Sequence, residues 1–323
     1  MSDGLIEGGS ASTSPRLAED GLSVSHDDTT PATPPADSAP PFGELPNGEP
    51  PLDEPPIEEP RQPLPFDTTV AHPARVYDYW LGGKDNFAAD REAGDEALQA
   101  YPDLVSSVRA NRAFLARGVR YLAAEAGVRQ FLDIGTGIPS ANNTHEVAQR
   151  VAPGSRVVYV DNDPIVLAHA RALLVAGPDG ATDYLDADLL DTAKILEHAA
   201  GFLDFSQPVA VMLVAVLHLI SPDDDPYGIV RQLMAAVPPG SYLLLSHVAS
   251  DIEPEKMAEM GKRLNRLLAQ KGYYRNQAQV TEFFAGLELL EPGVVPVQQW
   301  RQDSEVEGAR RSAMWGAIAR KTG

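Results

Sequence analysis

The sequence contains no cysteine. Disulfide bonds, thiolate catalysis and cysteine-ligated zinc are therefore excluded. It also lacks any run of about 18 apolar residues, so we expect no membrane span. No basic segment precedes a short apolar run, so we expect no signal peptide. The histidines show no metal-ligand spacing, and we expect no bound metal. These absences favour a cytoplasmic protein.

Positive charge is scarce. The chain has 26 Lys and Arg against 46 Asp and Glu, which gives a net charge of −20. A strongly acidic protein repels a phosphate backbone, so nucleic acid is not the expected partner.

The N-terminal segment, residues 1–65, is predicted to be disordered. It holds half of the 28 prolines and 13 acidic residues, but only two basic ones. Such a composition buries too little apolar surface to offset the entropy of ordering. Residues 66–323 are long enough to form a sizeable core.

From residue 129 onward, short runs of Val, Leu, Ile and Tyr alternate with helical patterns. This alternation predicts a parallel sheet with helical crossovers. The two last segments, 287–297 and 312–320, are predicted as antiparallel strands at the sheet edge. The predicted strands cover 130–134, 156–160, 182–185, 208–215 and 240–246. The predicted helices cover 74–81, 88–125 with a break at Pro102, 143–151, 164–175, 191–200, 225–236 and 254–271.

The loop after the first strand is the most informative motif. Gly135 and Gly137 let the backbone turn tightly and approach a ligand. A dinucleotide loop needs a third glycine where Ser140 stands, so that fingerprint fails. Asp133, two residues ahead of the first glycine, would repel a pyrophosphate but suits a ligand with an ammonium and a sulfonium. The loop therefore points to S-adenosylmethionine as the cofactor.

Carboxylates also follow the next two strands. Asp161 is predicted to accept the ribose hydroxyls, and Asp163 to cap the following helix. Asp188 is predicted to accept from an adenine amino group, with Asp186 as its competitor. Leu189 could pack on the base.

His218 follows the fourth strand, at the edge where open α/β folds bind ligands. It is either a general base or a histidine that only packs there. His145 is interpreted as a surface residue.

The segment 74–87 contains three aromatics, a Gly-Gly turn and a polar cluster. It is either a helix docked on the core or a lid over the ligand. We favour the lid, with Tyr77 and Lys84 at the cofactor and Tyr79 on the acceptor side. The arginines of the following helix are interpreted mainly as a solvated face: Arg109, Arg112, Arg117 and Arg120.

Together these features resemble a class I, Rossmann-like S-adenosylmethionine-dependent methyltransferase. More narrowly, the chain resembles the actinobacterial family of S-adenosyl methyltransferases once classed as a domain of unknown function. The resemblance is carried by residues 75–91, 131–139, 143–149 and 157–164.

The resemblance implies a seven-stranded sheet with its last strand antiparallel. It also implies a helical cap at 66–127 and a cofactor domain at 128–323. By the class I pattern, the loop with Asp133 lines the methionine end, Asp161 takes the ribose and Asp188 the adenine.

The sequence thus predicts a methyltransferase that acts on a small molecule, by O- or N-methylation. No Asp/Asn-Pro-Pro-Tyr motif follows the fourth strand, which argues against DNA bases or glutamine as acceptors. Two alternatives remain: a non-catalytic S-adenosylmethionine-binding regulator and a nicotinamide-dependent oxidoreductase.

Overall fold

The computed structural model describes residues 67–173, 180–304 and 311–323. The predicted disordered segment, 1–65, lies outside these ranges. The described residues belong to one compact unit. Of the helices in the described ranges, none is both long and apolar enough to cross a membrane.

The centre of this unit is an eight-stranded sheet in the order β3-β2-β1-β4-β5-β8-β6, with β7 also paired to β8. Strands β1 to β5 are parallel to one another, and β6 and β7 are antiparallel to β8. The strands are β1 Gln130–Ile134, β2 Arg156–Asp161, β3 Ala181–Asp186, β4 Ala210–Val214, β5 Tyr242–Val248, β6 Glu288–Leu289, β7 Val295–Pro296 and β8 Met314–Arg320.

The last strands confirm the antiparallel prediction but alter its details. Strand β8 lies between β5 and β6, so it is an interior strand. The segment 287–297 forms two short strands because a turn interrupts it, where the Gly293 N–H donates to the Leu290 carbonyl at 2.8 Å. Gly293 has a φ of 84°, which favours glycine.

The nine α-helices of the described ranges cover both faces of the sheet and its carboxyl edge. The predicted break at Pro102 is confirmed, because it separates α2 from α3. The helices are α1 Pro73–Leu81, α2 Ala88–Ala100, α3 Leu104–Ala124, α4 Thr144–Val151, α5 Pro164–Leu173, α6 Thr192–Phe202, α7 Pro226–Ala236, α8 Pro254–Leu267 and α9 Gln277–Glu282.

Most helix boundaries lie within two residues of the prediction, but one helix ends earlier and one helix was not predicted. Helix α8 ends at Leu267 rather than 271, because the Asn265 side chain binds both the N–H and the carbonyl of Gly272 and closes a loop there. Helix α9 was not predicted. Its signal was the capping box of Asn276 and Gln279, which satisfies two backbone N–H groups.

Side chains alternate between the two faces of the central strands. Leu132 and Val211 pack against α6 and α7, whereas Phe131 and Met212 pack against α3 and α4. Both faces are therefore buried, as the continuous apolar runs predict. A third apolar cluster, formed by α1, α2, the start of α3 and α8, lies apart from these two.

Two arginines of α3 belong to the interior rather than to a solvated face. Arg117 is buried, and its guanidinium donates to the carbonyls of Trp300 at 3.0 Å and Val297 at 2.7 Å. Arg112 is half-buried at the sheet's carboxyl edge, whereas Arg109 and Arg120 are exposed as predicted.

Candidate active site

One continuous cavity opens at the carboxyl ends of β1, β2 and β4 and extends beneath α1, α3 and α8. The strand order reverses direction between β1 and β4, and open α/β sheets bind ligands at such a switch point. The predicted site residues that line this cavity are Tyr77, Asp133, Gly135, Gly137, Asp161, Asp188, Leu189 and His218.

The glycine loop has the backbone that only glycine adopts readily. Gly135 and Gly137 have φ values of 74° and 67°. A Cβ on Gly135 would lie 2.4 Å from Val216 Cγ2, whereas a Cβ on Gly137 would meet no atom within 4 Å. Gly137 thus presents open backbone to the cavity, in a position where a side chain would fill ligand space.

Asp133 is buried at the end of β1. The Thr144 hydroxyl donates to Asp133 Oδ2 at 2.6 Å. Burial raises the pKa of Asp133 to about 6, and the Thr144 hydrogen bond and the charge of Arg112 oppose that rise. The site therefore holds a carboxylate whose charge is poorly compensated, which favours a cationic ligand.

Asp161 is the last residue of β2 and is also buried. Its carboxylate accepts from the N–H of Gly137 at 2.8 Å and from that of Asp163 at 3.0 Å. Burial raises its pKa despite these bonds. A carboxylate has about four acceptor positions, so Asp161 can accept further hydroxyl donors.

Asp163 has the predicted helix-capping role. Its Oδ1 accepts from the Ile165 N–H at 2.8 Å at the start of α5. Its Oδ2 lies 2.8 Å from His72 Nδ1, which ties the residue before α1 to the end of β2.

Asp188 lines the cavity, whereas its competitor Asp186 does not. Asp188 is exposed, and its two oxygens accept from the Leu190 N–H at 2.8 Å and from Asn162 Nδ2 at 3.0 Å. Leu189 also lines the cavity.

His218 lies in a short 3-10 turn, Leu217–Leu219, and is half-buried. Its Nδ1 is buried without a hydrogen-bond partner in the described part of the chain. Burial lowers the pKa of His218 to about 4, with the positive charge of Arg275 as the second cause. The ring is therefore neutral at pH 7 and is a weak base.

The predicted lid is helix α1 and the turn that follows it. The Tyr77 hydroxyl donates to the Val108 carbonyl at 3.2 Å and accepts from Asn111 Nδ2 at 3.0 Å, so α1 is docked on α3. Trp80 also lines the cavity.

Neither Lys84 nor Tyr79 lines the cavity, and Lys84 is exposed. The turn that carries Lys84 is held to α1 by Asp78, whose Oδ2 accepts from the Asp85 N–H and from Asn86 Nδ2. The Tyr79 hydroxyl donates to Asp95 on α2 at 2.7 Å instead.

His145 is buried, so its interpretation as a surface residue is wrong. Its backbone N–H donates to the Tyr159 hydroxyl at 2.8 Å, and its Nδ1 lies 2.8 Å from the same oxygen. Asn143 and Glu146 form the capping box that surrounds it at the start of α4. These contacts give His145 a packing role beneath the loop.

Two further polar residues that the sequence did not place at the site line the cavity. Arg112 lines the cavity and donates to the carbonyls of Ala141 and Asn142 at 3.2 and 3.3 Å. Tyr274 lines its far end and has ring contact with His218. Neither residue lies in a motif, and only the packing of α3 and of the loop after α8 brings them here. In the described ranges, no group of three or more His, Asp or Glu side chains could hold a metal ion.

Comparison with known proteins identifies the family. The chain matches the model of the S-adenosyl methyltransferase family over residues 59–322. It is 47% identical to a DUF574 family protein from Streptomyces avermitilis, over 79% of this chain and 99% of that one, with a TM-score of 0.77. It is 42% identical to a Thermobifida fusca protein described provisionally as a methyltransferase, over 82% and 100% of the two chains, with a TM-score of 0.74.

No curated protein matches the chain. The family match covers both the glycine loop and the three acidic strand ends, and it favours S-adenosylmethionine over a nicotinamide cofactor. The chain therefore belongs to the S-adenosyl methyltransferase family and is an S-adenosylmethionine-dependent methyltransferase.

Proposed function

We propose that the enzyme methylates a small molecule held next to the cofactor in the same cavity. The observation that supports this is the continuity of the cavity. It runs from the acidic strand ends to an apolar space beneath α1, α3 and α8. A small acceptor can occupy that space, whereas a folded macromolecule cannot.

The acidic strand ends fit the cofactor. We assign the ammonium end to Asp133 and the loop of Gly135 and Gly137, because an uncompensated buried carboxylate favours a cation. We assign the ribose hydroxyls to Asp161, and the adenine to Asp188 and Leu189. Each of these residues lines one end of the cavity.

Arg112 is the cationic partner proposed for the cofactor's carboxylate. Its guanidinium is anchored on two loop carbonyls beside the glycine loop. It also lies near enough to Asp133 to lower the pKa of that residue. An amino acid carries both an ammonium and a carboxylate, so an acid and an arginine together suit its two ends.

When bound, S-adenosylmethionine supplies an electrophilic methyl group, and its transfer requires a hydroxyl or amine acceptor to lose a proton. The protein's main contribution is alignment of the acceptor. His218 faces the cavity as a neutral imidazole and can receive that proton. With a pKa of about 4 it is a weak base, so we assign it mainly to orienting the acceptor.

Calorimetry with S-adenosylhomocysteine tests the cofactor assignments. We expect the intact protein to bind it and the Asp161→Ala variant to bind it at least about tenfold more weakly, since hydrogen bonds to charged groups are worth about 1.5–3 kcal/mol. Asp186→Ala is the matched control, because Asp186 also ends a strand but does not line the cavity. Undiminished affinity in Asp161→Ala would refute the ribose assignment.

The small-molecule assignment needs a separate test. Purified protein is incubated with labelled S-adenosylmethionine and a cell extract that is split by size. We expect the label in the low-molecular-weight fraction. Label confined to protein or nucleic acid would contradict the proposal.

A further inference from the structure

The cavity is divided by charge into two parts. Within the described ranges, its formally charged lining residues lie toward the strand ends and the glycine loop: Arg112, Asp133, Asp161 and Asp188. The rest, which we call the inner chamber, is walled by Trp80, Val108, Val248, Met257, Met260 and Leu268. No formally charged side chain lines the inner chamber in the part of the chain that the structure describes.

Most polar groups that reach the inner chamber are already used by the protein. Asn111 binds the Tyr77 hydroxyl and accepts from the Ser246 hydroxyl at 2.6 Å. Asn265 binds both backbone groups of Gly272. These amides hold the walls together and are not free to bind an acceptor.

Two polar groups are not used in this way. Among the described residues, neither the His218 ring nor the Tyr274 hydroxyl has a hydrogen-bond partner. Their rings meet edge to face, with centroids 6.3 Å apart. Both line the cavity.

The position of Tyr274 is fixed by two glycines. A Cβ on Gly261 would lie 2.9 Å from Tyr274 Cε2, and a Cβ on Gly272 would lie 3.0 Å from Cε1. The first approach is closer than real Cβ contacts and the second is at that limit, so glycines at both positions leave the space that the ring occupies. The phenol is therefore rigidly presented, which lowers the entropy cost of binding a ligand to it.

We propose that the acceptor is an uncharged, largely apolar molecule whose single hydroxyl or amine group is recognised by Tyr274 and His218 in the inner chamber. The apolar walls favour a ring or hydrocarbon body. A charged acceptor would lose its hydration there without a counter-ion, which costs several kcal/mol. This inference rests on the proposed methyltransferase site.

Matched naphthalene probes test the proposal by ligand-detected NMR titration at pH 7, with and without S-adenosylhomocysteine. The probes are 2-naphthol, which is neutral with one hydroxyl, 2-naphthoate, which is charged, and 2-methylnaphthalene, which has no polar group. We expect 2-naphthol to bind at least about tenfold more tightly than 2-naphthoate. Equal or tighter binding of 2-naphthoate would overturn the proposal, as would no binding of any probe.

The Tyr274→Phe variant tests the polar pair. It keeps the ring in its slot, so the fold is retained, and we expect 2-naphthol to bind about five- to tenfold more weakly. Binding of 2-methylnaphthalene should change less than about twofold. Tyr273→Phe is the matched control, because the adjacent tyrosine does not line the cavity. Unchanged 2-naphthol affinity in Tyr274→Phe would refute the role of Tyr274.

The outcomes also separate this inference from the proposed function. Calorimetry with S-adenosylhomocysteine alone decides the cofactor site, whatever the probes do. If S-adenosylhomocysteine binds and the probes do not discriminate, only the inner-chamber assignment fails. If S-adenosylhomocysteine does not bind, the proposed cofactor site fails. The probe titrations without S-adenosylhomocysteine then still test whether the inner chamber prefers a neutral molecule.

Discussion

Asp133→Asn is expected to stabilise the protein at neutral pH in the absence of cofactor. Burial raises the pKa of Asp133 from 3.8 to about 6, so the fold favours its protonated form. The ionised form therefore costs stability, and that cost grows as pH rises from the unfolded pKa to the folded one and is constant above it. Asparagine keeps an oxygen for the Thr144 hydroxyl and carries no charge.

The magnitude follows from those two values. One pKa unit corresponds to 1.36 kcal/mol, so the cost is about 3 kcal/mol at pH 8 and about 1 kcal/mol at pH 4.5. The difference in unfolding free energy between variant and parent should therefore grow by about 2 kcal/mol between these pH values. Any pH-independent effect of the substitution cancels from that change.

Urea unfolding of both proteins at pH 4.5, 6 and 8 measures this difference in unfolding free energy and its change with pH. Asp186→Asn, at the exposed end of β3, is the matched control. A difference between Asp133→Asn and parent that does not change with pH would refute the reasoning. It would mean that Arg112 and Thr144 compensate the carboxylate fully. At pH 8 we also expect the variant to bind S-adenosylhomocysteine more weakly than the parent does.

Three further predictions concern the loop, the core and His218. Gly135→Ala should lower the free energy of unfolding by about 2–4 kcal/mol because its Cβ meets Val216. Gly137→Ala should lower it by only about 1 kcal/mol, through backbone strain alone. Equal decreases in urea unfolding would contradict this. Arg117→Met should lower the free energy of unfolding by about 3 kcal/mol because it leaves two buried carbonyls unpaired. Replacement of the exposed Arg120 by Met should lower it by less than about 0.5 kcal/mol in the same assay. Because His218 changes charge near pH 4, the pH profile of kcat/KM between pH 6 and 7 should have the same shape in the parent and in His218→Asn. A step in that range that is present in the parent and absent from the variant would refute the neutral state of His218.

The sheet was largely predictable because its signals are local. The strand from Gln130 to Ile134 was predicted to the residue, since its buried apolar residues stand directly ahead of the glycine loop that ends it. The split of 287–297 was not predicted. These two-residue strands form by pairing with β8, and the local sequence pattern does not indicate that partner.

The site was predictable where it follows a strand end and not where it depends on packing. Asp133, Asp161 and Asp188 come to one edge because parallel strands end together. Lys84 lies outside the cavity because Asp78 holds its turn against α1, a contact that spacing does not encode. Tyr274 was missed because its place depends on glycines at 261 and 272, which lie on either side of it in space.

The arrangement of charge around His218 is consistent with a sulfonium cofactor. Arg275 is buried behind it, donates to His247 Nε2 at 2.9 Å and to the Leu217 carbonyl at 3.2 Å, and lies near two aromatic rings. A protonated His218 would face both this cation and the proposed sulfonium. Because the fold keeps the ring neutral, His218 adds no positive charge beside the proposed sulfonium. Replacing Arg275 with Met should therefore raise the pKa of His218, and NMR titration of the ring would detect that rise.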